Sequence, residues 1–125
     1  MVYNLINKWK EGNTMLVEVF QLKDFSKTTL IMFSSEKADL VNELFENNEY
    51  ECVAVMVPAK IEIDDILEHA YYLTNTIEEP WYNNPGSLIN VSEDKVKGCR
   101  STSVGDVIKY NGNKYLVDKF GFTKI

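Results

Sequence analysis

The chain has 125 residues, the size of one domain that buries roughly two-thirds of its unfolded surface, so a real core forms without disulfide or metal staples. A composition of 45% hydrophobic and 26% charged residues, with net charge −6, excludes an intrinsically disordered chain. No apolar run approaches the roughly 18 residues of a membrane-spanning helix.

Met1 to Lys10 lacks the apolar block and small-residue cleavage site of a signal peptide. The expected location is therefore the cytoplasm, with no membrane partner. Cys52 and Cys99 are too few and too far apart for a disulfide framework or a CxxC pair. Both are expected as reduced thiols, with Cys52 in the core.

Lys10-Glu11-Gly12-Asn13 reads as a break after an N-terminal segment. Met15 to Leu22 and Thr28 to Phe33 are β-branched and aromatic runs around the polar Lys23 to Lys27, which predicts a hairpin. Ser34 and Ser35 then lead into a helix whose Leu40, Val41, Leu44 and Phe45 share a face, with Asn47-Asn48 as its stop. Tyr50 to Val57, nearly continuous in apolar residues and bounded by Pro58, predicts a central strand covered on both faces.

A second helix is expected from Asp64 or Asp65, where Asp65 and Glu68 have capping-box spacing. Ile63, Ile66, Leu67, Ala70 and Leu73 form its apolar face, and Asn75 is its stop. From Thr76 to Lys97 the pattern breaks, with Pro80, Pro85 and Gly86 marking turns. Asp106 to Tyr110 and Lys114 to Phe120 flank Asn111-Gly112, the strongest short hairpin signal. A two-residue loop there sets Lys109 opposite Lys114, an unfavourable pair, which favours a longer loop.

The fold class is α+β, a single domain over residues 1–125, with a mixed or antiparallel sheet, two main helices and a C-terminal hairpin. Its expected core is Phe20, Ile31, Leu44, Val53, Val55, Ile66, Leu67 and Leu116.

Charge is lopsided. Residues 36 to 79 carry twelve acids against Lys37 and Lys60, and residues 95 to 125 carry seven bases against Asp106 and Asp118. These are solvated faces of neighbouring elements, or else a nucleic-acid interface, with the basic tail as binder or the acidic centre as DNA mimic.

Catalytic and metal motifs are missing from the sequence. His69 shares a helical face with Asp65, but no Ser lies in a GxSxG elbow to complete a triad. Asp64, Asp65, Glu68, Glu78 and Glu79 match no calcium or zinc spacing. No catalytic residue, metal or cofactor is assigned.

Two segments carry binding chemistry. Arg100, Ser101, Thr102, Ser103 and Asp106, within the segment Gly98 to Asp106, offer a guanidinium and three hydroxyls suited to an anion, or to a turn before a strand. Trp81 and Tyr82, between Pro80 and Pro85, are loop aromatics suited to anchoring a partner protein or to closing the core. The expected partner-binding surface joins these seven residues.

Arg100-Ser101-Thr102-Ser103-Val104-Gly105-Asp106-Val107, followed by Tyr115, Val117, Asp118, Phe120, Gly121 and Phe122, resembles the YodL-like domain. Thr102, Gly105 and Lys119 depart from that pattern. The same tail, with Tyr72 to Asn75 and the Trp81 to Pro85 loop, is similar to small proteins of tailed bacteriophages. The resemblance implies a phage or mobile-element setting and assigns no catalytic residue. The leading expectation for function is a non-enzymatic accessory protein that binds a host protein and inhibits or redirects it, in counter-defence or host takeover. Nucleic-acid interaction is the alternative, and the oligomeric state is left open.

Overall fold

Residues 16–58, 60–75, 88–90 and 100–125 are described by the structure, a computed structural model. Six strands, β1 (Val17–Leu22), β2 (Tyr50–Met56), β3 (Leu88–Asn90), β4 (Val107–Tyr110), β5 (Asn113–Val117) and β6 (Phe122–Lys124), form one sheet in the order β3-β2-β1-β4-β5-β6. Every pairing is antiparallel.

Side chains alternate across such a sheet, and here both faces are covered. Val17, Val19, Ile108 and Val117 pack with Ile66, Leu67, Ala70 and Leu73 of α3 (Ile63–Leu73) on one face. Leu22, Val107, Leu116 and Tyr50 pack on the other with Ile31 of α1 (Thr28–Phe33) and Val41 and Leu44 of α2 (Lys37–Glu46). The result is an α+β domain with helices on both sides of an antiparallel sheet.

Thr28–Phe33 is helical, which corrects the expected hairpin. Strand β1 already has β2 on one side and β4 on the other, so no edge is left for a third partner. The chain instead leaves β1 through a single 3₁₀ turn at Phe25–Lys27, whose N-cap Asp24 accepts the Ser26 N–H, and continues into α1. Only Ile31 of α1 is buried. The β-branched composition of this run is overruled by position in the sheet.

Helix α2 ends as the Asn pair implies. Asn48 takes φ 58°, and the Asn48 and Glu49 N–H groups donate back to the Phe45 and Leu44 carbonyls, a Schellman closure. Helix α3 begins at Ile63 with Glu62 as N-cap and no side-chain cap bond, so the capping box at Asp65 does not form. Asp64 and Asp65 instead sit in the first turn, where the helix dipole favours them. The Thr74 hydroxyl and the Asn75 side-chain amide donate to last-turn carbonyls and close the helix.

Strand β2 is second from the edge rather than central, yet Val53, Ala54, Val55 and Met56 are all buried. A bulge explains part of this: Val19 faces Ala54 but Phe20 faces Cys52, which leaves Val53 as the extra residue. Cys52 and Phe20 are opposite each other at the rim of the α2-covered face, and both are half-buried rather than core. The other seven expected core residues are buried. Residues 88–90 form strand β3 on β2, inside a stretch the sequence marks as irregular.

The C-terminal hairpin closes on two residues, Asn111 (φ 50°) and Gly112 (φ 80°), the positive-φ pair of a type I′ turn. Lys109 therefore does face Lys114. Each ammonium lies over a different ring, Lys109 5.6 Å from the Phe20 centroid and Lys114 5.0 Å from that of Phe45. Lys114 also donates to the Asn42 side-chain oxygen at 2.8 Å. Aromatic faces and an amide thus separate two charges that the strand register alone brings together.

Candidate functional site

The Arg100 to Asp106 segment crosses the end of the sheet where β1 finishes. Asp106 is fully buried, so its charge must be paired. Arg100 supplies a two-pronged ion pair, Nη1 to Oδ2 at 2.7 Å and Nη2 to Oδ1 at 2.8 Å. The Leu22 and Ser103 N–H groups donate to the same carboxylate at 2.9 and 2.8 Å.

The guanidinium is itself used further. Nη2 donates to the Leu22 carbonyl at 3.0 Å, and the group lies 4.6 Å from the centroid of the Phe25 ring. Buried Gln21 donates to the Arg100 carbonyl and the Thr102 hydroxyl, and the Thr102 N–H donates to the Thr74 carbonyl at 2.9 Å. Together these bonds lock β1, β4 and the end of α3 to one another.

Gly105 closes the lock. At φ +97° it adopts a conformation that L side chains rarely take, and an added Cβ would lie 3.1 Å from Thr28 Oγ1. Tyr50 donates its hydroxyl to the Gly105 carbonyl at 2.7 Å. Burial, reinforced by the Asp106 charge, raises the Tyr50 hydroxyl well above the ordinary phenol range. Ser101 and Ser103 are half-buried, and Thr102 and Asp106 are buried. The guanidinium thus spends its charge on Asp106. Trp81, Tyr82 and Cys99 lie outside the described residues.

His69 and Asp65 do share a face of α3. With Lys60, Glu68 and Tyr72 they line an open depression of about 340 Å³, and no Ser or Cys stands among the described residues of its wall to serve as nucleophile. Among the described residues no three His, Cys, Asp or Glu side chains converge as metal ligands. No described helix is long and apolar enough to cross a membrane.

The fold also disperses the two charged regions. The acids of α2 and α3 lie on helices packed against opposite faces of the sheet. In the tail, Arg100 is clamped to Asp106 and Lys109 and Lys114 lie over Phe20 and Phe45. The acids of α2 and those of α3 therefore do not share one face of the sheet.

A different feature stands out at the end of the sheet where β1 and β5 both finish. Phe120 is 97% exposed, Phe33 80% and Leu30 63%. Leu30 and Phe33 are one turn apart on α1. Phe120 occupies the β5–β6 turn, which Gly121 closes at φ 80° with the Asp118 N–H donating to the Gly121 carbonyl.

That turn is held rigidly for an exposed loop. The Asp118 carboxylate accepts from the Thr123 hydroxyl and the Lys119 N–H, both at 2.8 Å, and from Lys37 at 3.2 Å. Burial alone raises this carboxyl, but those three donors outweigh it and hold it below the ordinary 3.8. The Lys119 ammonium lies 5.4 Å from the Phe33 ring centroid, which brings the α1 and turn segments together. Searches against protein-family models, curated proteins and solved structures return no match.

Sequence reading misses this surface because the β-branched composition of Thr28 to Phe33 puts Leu30 and Phe33 on a strand, where alternation sets them on opposite faces. The signal for Phe120 was available: a bulky ring between Lys119 and Gly121 in a short turn has little core to enter.

Proposed function

We propose that the chain is a non-enzymatic accessory protein that docks through Leu30, Phe33 and Phe120 onto a bacterial host protein and inhibits or redirects it, in a phage or mobile-element setting. The observation that carries this reading is the exposure of those three side chains at one end of the sheet, on two segments joined by the contact of Lys119 with the Phe33 ring. Large rings in water cost free energy that a partner recovers by covering them, and rigid aromatic anchors lose little entropy on binding.

The charge around the patch indicates the partner's chemistry. In a chain of net charge −6, Lys119 projects beside Phe33 and Lys23 is exposed at the same end. An apolar surface edged by carboxylates complements that arrangement, while the acidic helices repel it elsewhere. The motif that resembles the YodL-like domain is also the one that builds the turn carrying Phe120. The phage setting rests on that resemblance.

The test is affinity purification of the tagged chain from a bacterial host, run in parallel with Phe33→Ala and Phe120→Ala. Both side chains are so exposed that thermal stability should be nearly unchanged. One stoichiometric protein captured by the parent and lost by both variants supports the reading. Equal capture by all three moves the interface elsewhere. Capture of nucleic acid, with steep loss of binding as salt rises, favours the alternative of nucleic-acid interaction.

A further inference from the structure

Among the described residues strand β6 is the last strand of the sheet, and the phase of its ladder is fixed by two bonds. The Asp118 N–H donates to the Gly121 carbonyl and the Ile125 N–H donates to the Lys114 carbonyl, both at 2.9 Å. Hydrogen-bonded and non-bonded pairs alternate along antiparallel strands. With Leu116 opposite Thr123, and Tyr115 opposite Lys124, Thr123 is therefore bonded to β5. The N–H and C=O groups of Phe122 and Lys124 face outward along the edge.

We propose that a second copy of this chain pairs with that edge, antiparallel about a twofold axis through Thr123, to give a dimer with one continuous sheet. The inference rests on the register of β6 and is independent of the proposed host-protein reading.

The edge is complementary to itself in this register alone. Phe122 of one copy falls opposite Lys124 of the other, and these are the residues whose backbone groups point outward, so two pairs exchange four hydrogen bonds. Their side chains meet on one face, where the ammonium of one copy can lie over the ring of the other. Phe122 is already steadied by Tyr71, with ring centroids 6.3 Å apart and planes at 77°. Thr123 meets Thr123 of the second copy on the opposite face, a favourable cross-strand pair.

A slip of two residues toward the C-terminus sets Lys124 against Lys124. A slip the other way brings Gly121, at φ 80°, into the ladder, where the chain has turned away. A lysine usually guards a sheet edge against pairing; here its opposite is a ring and not a like charge. Three residues of edge bury well under the roughly 1,600 Å² of a standard interface, so the association is weak.

Amide exchange and sedimentation on the full chain, at about 20 µM and about 1 mM, test the proposal. At the higher concentration the Phe122 and Lys124 amides should exchange about tenfold more slowly, while the Thr123 and Ile125 amides, bonded to β5 in either state, do not change. Average mass should rise toward that of a dimer. Lys124→Pro removes an outward N–H and no ladder bond, so this variant should stay monomeric. Lys124→Gln retains the N–H and should still dimerise. A chain that is monomeric at about 1 mM overturns the proposal, as does unchanged dimerisation of a folded Lys124→Pro variant. If that variant misfolds by circular dichroism, the exchange pattern of the unaltered chain decides.

Discussion

Replacing Asp106 by Asn tests whether the Arg100 to Asp106 segment holds the fold together. The carboxylate accepts two bonds from Arg100 and one each from the Leu22 and Ser103 N–H groups, with no exposure to solvent. An amide of the same shape keeps one oxygen, which can retain the Leu22 N–H and Arg100 Nη2. Its nitrogen then faces Ser103 N–H and Arg100 Nη1, donor against donor. Each buried donor left unpaired costs about 1–3 kcal/mol, and breaking a buried ion pair costs about 3–5. Because the Arg100 side chain keeps 29% of its surface exposed and can rehydrate, the lower end applies, about 3 kcal/mol. At roughly 4 °C per kcal/mol for a domain of this size, Tm should fall by about 12 °C. Urea unfolding followed by circular dichroism measures the loss. The double variant with Arg100→Met should lose at least about 1 kcal/mol less than the sum of the single changes, since each already breaks the same pair. A parent-like Asp106→Asn protein, within about 0.5 kcal/mol, would refute this account of the clamp.

Three further outcomes follow from neighbouring groups. Thr28 Oγ1 is buried and has no hydrogen-bond partner among the described residues, so Thr28→Val, which replaces the hydroxyl by a methyl of similar size, should raise stability by about 1 kcal/mol in the same urea assay. The Tyr50 hydroxyl has its pKa raised by burial from an ordinary 10.0, so stability should be constant below that pH and fall as pH climbs above it; Tyr50→Phe should flatten that alkaline limb in a pH series of melting curves. The Asp118 carboxyl is held below 3.8 by its three donors, so it adds stability above that pH and loses it as pH falls through the lowered value. Thr123→Val should move the Asp118 titration upward when followed by carbon NMR of the carboxyl.

Local signals in the sequence settled much of this protein. The apolar spacing of Val41 and Leu44, and of Ile66, Leu67, Ala70 and Leu73, specifies α2 and α3, because a helix buries one stripe at a period of 3.6 residues. Asn111-Gly112 specifies the last hairpin, since few other pairs accept positive φ twice. Those features depend on residues a few positions apart.

What tertiary structure decided involves partners far along the chain. Thr28–Phe33 has strand composition and becomes a helix because β2 and β4 occupy both sides of β1. Lys109 and Lys114 tolerate each other because Phe20 and Phe45 lie beneath them. Arg100 and Asp106 have the chemistry of an anion site, yet the fold buries the carboxylate against Leu22, about eighty residues away along the chain, and the guanidinium follows its counter-charge inward. The exposed rings at Phe33 and Phe120 lie at one end of the sheet for the same reason: β1 and β5 run in the same direction and finish there. Sequence fixes which side chains are available, but burial and adjacency depend on where distant strands pair, and no local pattern carries that information.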